Sequence, residues 1–94
     1  MLKFDRELIE HEYDLVVVAR EGAKGMNVVD SLSERYSETQ IIWITSDEDF
    51  ASVALRHHIH DFIVRPFTSE RFARSVREVL PKCPHRNEWC FVPE

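Results

Sequence analysis

Three apolar runs punctuate the chain, and none of them alternates with polar residues. Leu15-Val16-Val17-Val18-Ala19, Ile41-Ile42-Trp43-Ile44-Thr45 and the shorter Phe62-Ile63-Val64 each have the pattern of a strand buried on both faces of a parallel sheet. The third run stops at Arg65-Pro66, because proline cannot donate to a ladder and pushes its predecessor toward extended geometry. Between the runs the spacing changes to three and four. Met26, Val29, Leu32 and Tyr36 fall on one face of a helix predicted from about Gly25 to Tyr36. Ser46, with Asp49 three positions on, reads as a capping box for the next helix, which turns Phe50, Val53, Ala54 and Leu55 toward the sheet. Thr68 caps a third, with Phe72, Val76, Val79 and Leu80 as its stripe and Pro81 as its stop. A short helix from Arg6 to His11 precedes the first strand.

Strands alternating with helices of this length predict βαβ units, hence an α/β fold with a parallel sheet and helices on both faces. The tail differs. Pro84 and Pro93 bracket Asn87-Glu88-Trp89-Cys90-Phe91-Val92, whose aromatics suit a short extra strand. We therefore divide the chain into one domain, residues 1–81, and an extension, 82–94. The length of 94 residues agrees, since a second core would leave neither half enough apolar surface to bury.

Charge and chemistry narrow the function. Twelve Lys and Arg against 17 Asp and Glu give a net charge of −5, which argues against a nucleic-acid partner because binders of phosphate backbones concentrate positive charge. No apolar run approaches the ~18 residues of a membrane span, and the N-terminal residues carry charges where a signal peptide is apolar, so a cytoplasmic location with no membrane partner is expected. The serines and histidines fall in no nucleophile motif, and we expect no enzyme and no cofactor. His57, His58, His60, Cys83, His85 and Cys90 are zinc's preferred donor types but do not form the paired knuckles of a structural site, so no metal is expected.

The order of these blocks resembles the receiver domain of bacterial two-component response regulators, over about Phe4 to Leu80. Tyr13 to Ala19 is similar to the third receiver strand, Gly25-Met26-Asn27-Val28 to the Gly-Met-Asp-Gly that follows it, Ile41 to Ser46 to the fourth strand with its terminal Thr, and His60 to Phe67 to the strand ending in Lys-Pro-Phe. The resemblance implies a three-layer, flavodoxin-like parallel sheet missing its first strand, and a cis Arg65-Pro66 bond. It also implies what is lost. Ala19 stands at the phospho-acceptor position, and a methyl group can neither attack a phosphodonor nor hold magnesium. Arg65 replaces the family's Lys, while Thr45 and the aromatic Phe62 remain as switch-like positions with Pro66 beside them. Two nearby acids do not substitute on this reading: Asp14 is at the opposite end of its strand, and Glu21 is in the loop that follows.

A receiver-like fold without its first strand leaves an apolar edge on Leu15 to Ala19, a template for pairing. A second copy, another protein or the tail strand Glu88 to Val92 would cover it. The expected function is thus a non-phosphorylatable regulatory module in signal transduction, acting by self-association as a homodimer or by docking to a signalling protein, with Arg56, His57, His58, Phe62 and Arg71 as the candidate interface. The alternatives are a small-anion or nucleotide sensor using Arg20, Lys24 and Arg65 at the strand ends, and a gene fragment with no function.

Overall fold

The structure, a computed structural model, describes residues 11–83 and 88–94. The helix expected from Arg6 to His11 lies almost wholly outside the described residues, as does His85.

The buried runs become strands β1 (Leu15–Val18), β2 (Gln40–Thr45) and β3 (Asp61–Val64), and the tail contributes β4 (Trp89–Val92). All pairings are parallel, in the order β3-β2-β1-β4. Of the three covers proposed for the open side of β1, the tail is the one in place. It pairs Leu15 with Trp89 and Val18 with Val92.

Helices α1 (Gly22–Arg35), α2 (Ala51–Arg56) and α3 (Ser69–Val79) lie on the two faces of the sheet. On one, Val29 and Leu32 of α1 and Ala54 of α2 meet Val16, Val18, Ile41 and Trp43; on the other, Val79 of α3, with Phe72 and Val76, meets Leu15, Val17, Ile42, Ile44 and Ile63. Every residue of β1 is buried, which is why its sequence shows no alternation. Each such side chain contributes roughly 1.5–3 kcal/mol of burial.

Three local expectations need correcting. The Ser46 box does not form: a 3₁₀ turn, Glu48–Phe50, precedes α2, and Asp47 caps it by accepting the Asp49 N–H at 3.0 Å. Leu55 does not face the sheet but is 77% exposed, since α2 is too short to bury more than Ala54 fully. Leu80 leaves the stripe of α3 and is exposed, because the helix gives way at Val79 to a 3₁₀ turn containing Pro81. Thr68 does cap α3, accepting the Arg71 N–H. Tyr36 sits just past the end of α1, and its ring still packs on the core. The Arg65-Pro66 bond is cis.

Candidate functional site

The C-terminal ends of β1, β2 and β3 form one mouth of the sheet. β1 ends beside Ala19, buried with its methyl group in the core. Two residues later the chain must turn into α1. Glu21 takes an extended conformation as the N-cap residue but makes no side-chain cap bond, and Gly22 supplies the positive φ, 50°, that a side chain would resist. Glu21 therefore reaches across the mouth instead of capping its own helix.

There it meets a ring of donors. One carboxylate oxygen accepts the Thr45 hydroxyl at 2.9 Å and the Ser46 N–H at 2.7 Å. The other accepts the Ser46 hydroxyl at 3.3 Å and a guanidinium N–H of Arg65. The second arm of Arg65 lies 3.5 Å from the Ala19 carbonyl, so the planar fork spans the carboxylate and the end of β1. Thr45 is fully buried, and its oxygen also accepts the Asp47 N–H at 3.2 Å. That bond leaves the hydroxyl proton for Glu21. The Ser46 N–H above all holds the Glu21 carboxyl below its ordinary range; desolvation, second in size, pushes the other way, and the Thr45 hydroxyl and the Arg65 charge add to the lowering. A carboxylate accepting so many hydrogen bonds is stabilised as the anion.

The mouth is fastened from two further directions. Ala19 N–H donates to Val92 O at 2.8 Å, Arg20 Nε to Pro93 O at 3.0 Å, and Glu21 N–H to a Glu94 carboxylate oxygen at 3.0 Å. Three successive residues after β1 are thus stapled to three at the end of β4. From below, the buried Trp43 indole donates to Arg20 O at 3.0 Å, and its ring is held edge-on by Phe50 and Phe62. Gly25 lies directly over that bond. A Cβ there would come within 2.3 Å of Arg20 O and 2.5 Å of Trp43 Nε1.

The structure brings together Ala19, Thr45 and Arg65 from the sequence reading and does not gather the rest. Arg20 and Arg65 turn to different acceptors, and Lys24 is exposed on α1, so the three basic residues do not converge on an anion. Of the candidate interface, Phe62 is half-buried against Trp43, Arg71 forks onto Asp61 at 2.7 and 2.8 Å, and His57 pairs with Asp30 at 2.9 Å; Arg56 and His58 are exposed. Burial raises the Asp61 carboxyl, but the Arg71 hydrogen bonds and charge outweigh it and leave it below the ordinary range. Pro66 is exposed beside the mouth.

His60 donates to Ser75 O and accepts from Lys82. Cys83 lies against the Asp14 carbonyl, and burial, with the Asp14 charge, pushes its thiol up. Among the described residues, no group of three His, Cys, Asp or Glu side chains is placed to hold a metal ion, and no helix is long and apolar enough to cross a membrane.

Asp14 is at the far end of β1, as its position in the sequence implied. Its carboxylate accepts the Glu88 N–H at 3.1 Å, and its own N–H donates back to Glu88 O at 2.8 Å. Sequence reasoning missed Ser46, Pro93 and Glu94 as parts of the mouth and gave Glu21 no part in it. The one available signal was an acid immediately before a glycine at a strand-to-helix turn. Against known proteins, no family model matches the chain, and a search of curated proteins finds no match.

Proposed function

We propose that this chain is a receiver-like regulatory module that is not phosphorylated and works by protein association, first with a second copy of itself through β4. The observation that carries the reading is the edge strand. Among the described residues, β4 is the outermost strand on its side of the sheet. Its Trp89 and Phe91 share a face by strand alternation and are 50% and 57% exposed. An uncharged strand that offers exposed aromatics at the side of a sheet is a template for association.

Charge supports a second copy as the occupant. One end of β4 carries Glu88 with His11, and the other carries Arg20 and Glu94. Antiparallel pairing about a two-fold axis brings Glu88 of one copy to the end that carries Arg20 of the other. The receiver-like part of the proposal is supported by the sheet order, the helices on both faces, and the meeting of Ala19, Thr45 and Arg65 at one mouth. On this reading the fold is flavodoxin-like, β4 takes the place of the family's first strand, and the module belongs in a bacterial cytoplasm.

Light scattering over a concentration series tests it. The native chain is expected to approach twice the mass of 11.1 kDa, and Phe91→Lys to stay monomeric with an unchanged circular dichroism spectrum. A native chain that stays monomeric at millimolar concentration sinks the homodimer.

A further inference from the structure

We infer that the side of β1 against which β4 lies is a groove for an extended peptide of a partner protein, and that residues 88–94 fill it as a tethered strap. The peptide it takes has the strap's own chemistry: an acid at each end, and small or β-branched residues turned inward at alternate positions. The inference concerns the inner side of β4 and not the outer edge through which copies pair, so either stands without the other.

The groove holds its occupant chiefly by the main chain. Leu15 to Val18 run parallel to Trp89 to Val92, residue for residue. At one end the Asp14 N–H donates to Glu88 O at 2.8 Å, and the Asp14 carboxylate accepts the Glu88 N–H at 3.1 Å. At the other the Ala19 N–H donates to Val92 O at 2.8 Å and Arg20 Nε to Pro93 O at 3.0 Å. Such contacts recognise an extended strand whatever its side chains, while the places for alternate residues select among sequences. The selecting positions are Val92, fully buried in the cluster that holds Val16 and Val18, and Cys90, packed against that cluster. Charge selects as well. The segment carries two acids and no base; the Glu88 carboxylate meets His11, and the Glu94 carboxylate accepts the N–H of Glu21, the residue after Arg20.

The groove and its strap are unequally secured. β1 is paired on its other side with β2 and packed on both faces by residues of α1 and α3. The strap has Val92 and Cys90 as its inward anchors, while Trp89 and Phe91 are half exposed. An element with so few buried side chains opens at a lower free energy than the core. It also returns readily, because a tethered segment has a high effective concentration at its site. A dilute peptide is therefore excluded while the strap is intact.

The test follows the Asp14 and Ala19 amide resonances of the full ¹⁵N-labelled chain, under reducing conditions, as an unlabelled synthetic peptide of residues 88–94 is added. The chains carry Phe91→Lys, so that pairing between copies does not enter the reading. With Val92→Asp added, the strap cannot bury its anchor, and the peptide is expected to return both resonances together and saturably toward their positions in the chain without that change. The chain with Val92 intact is expected to bind the peptide roughly tenfold more weakly or less. A peptide bearing Val92→Asp is expected to give no saturable change, and one bearing Glu88→Lys and Glu94→Lys to bind several-fold more weakly, most clearly at low salt. A folded Val92→Asp chain that does not saturate overturns the groove, as does equal binding of the peptide with Val92→Asp. A response at one end alone overturns the seating along β1, equal binding of the lysine-bearing peptide overturns the selection by charge, and an intact strap that admits the peptide as readily overturns the tether. Val92→Ala loosens the strap more gently and replaces Val92→Asp in the chain if that variant does not fold.

Discussion

The two ends of β1 are each fastened by a carboxylate, and the two carboxylates do opposite things. At the N-terminal end Asp14, only 2% exposed, exchanges hydrogen bonds with Glu88 and fixes where the tail begins. At the C-terminal end Glu21 is partly exposed and binds β2 and β3 termini instead of the tail, and the tail holds Glu21 by its backbone. A buried acid with a backbone partner acts as a rivet, since removing it strands a desolvated donor. A partly exposed acid held by a backbone N–H, two hydroxyls and a guanidinium is a looser tie. Its contacts are screened and replaceable by water.

On that difference, the stiffest part of the mouth is its scaffold and not its acid. Gly25→Ala is the largest expected effect. The new Cβ meets a backbone carbonyl and the Trp43 indole at under 3.0 Å, so α1 must lift and the indole bond must break, at a cost on the order of 3 kcal/mol. Chemical denaturation measures it, and a loss near zero would mean the mouth is soft throughout. Asp14→Ala comes next, at about 2 kcal/mol, the usual cost of a buried donor left without its charged acceptor. A double-mutant cycle with a tail truncated before Glu88 should show the two changes strongly coupled. Independent losses would deny Asp14 its role at the start of β4.

Acid gives the smallest effect and separates the ends most finely. Glu21 and Asp61 ionise below their ordinary values of 4.5 and 3.8. Their bonds to Arg65 and Arg71 therefore contribute in full above those values and are lost as pH falls through the lower folded ones. Titrating the native chain downward should leave the Ser46 amide at its native position at pH 5 and move it only below the ordinary carboxylate range. A midpoint at or above 4.5 would mean the Ser46 and Arg65 bonds do not hold the anion.

Much of the fold was legible because buried strands and helix stripes leave periodic traces. The runs at Leu15, Ile41 and Phe62 each became a strand within one residue of their expected ends, and Thr68 capped as its type and place imply. The tail strand was legible as a strand, but its position was not, because aromatic residues between prolines say nothing about which edge they will meet. The mouth was half legible. Ala19, Thr45 and Arg65 follow from strand ends, whereas Glu21 acts through a side-chain reach across the sheet that depends on the φ of Gly22. Ser46 misled for the same reason. Its N–H and hydroxyl serve a residue 25 positions away, while a neighbour, Asp47, caps the turn.

β4 also has a consequence for time. β1 pairs with β2 after a single helical crossover, but its other side waits for residues up to 74 positions on. Contacts that far apart form late, because the loop must close before the pairing is rewarded. The most apolar strand of the molecule is thus the first of the described strands to be synthesised and the last to be completed. Refolding should show this as a lag between the ordering of Trp43 in the core and the protection of the Leu15 to Ala19 amides from hydrogen exchange. During that interval the chain is most exposed to pairing with the wrong neighbour, so its yield on refolding should fall with concentration even where the native protein is fully stable.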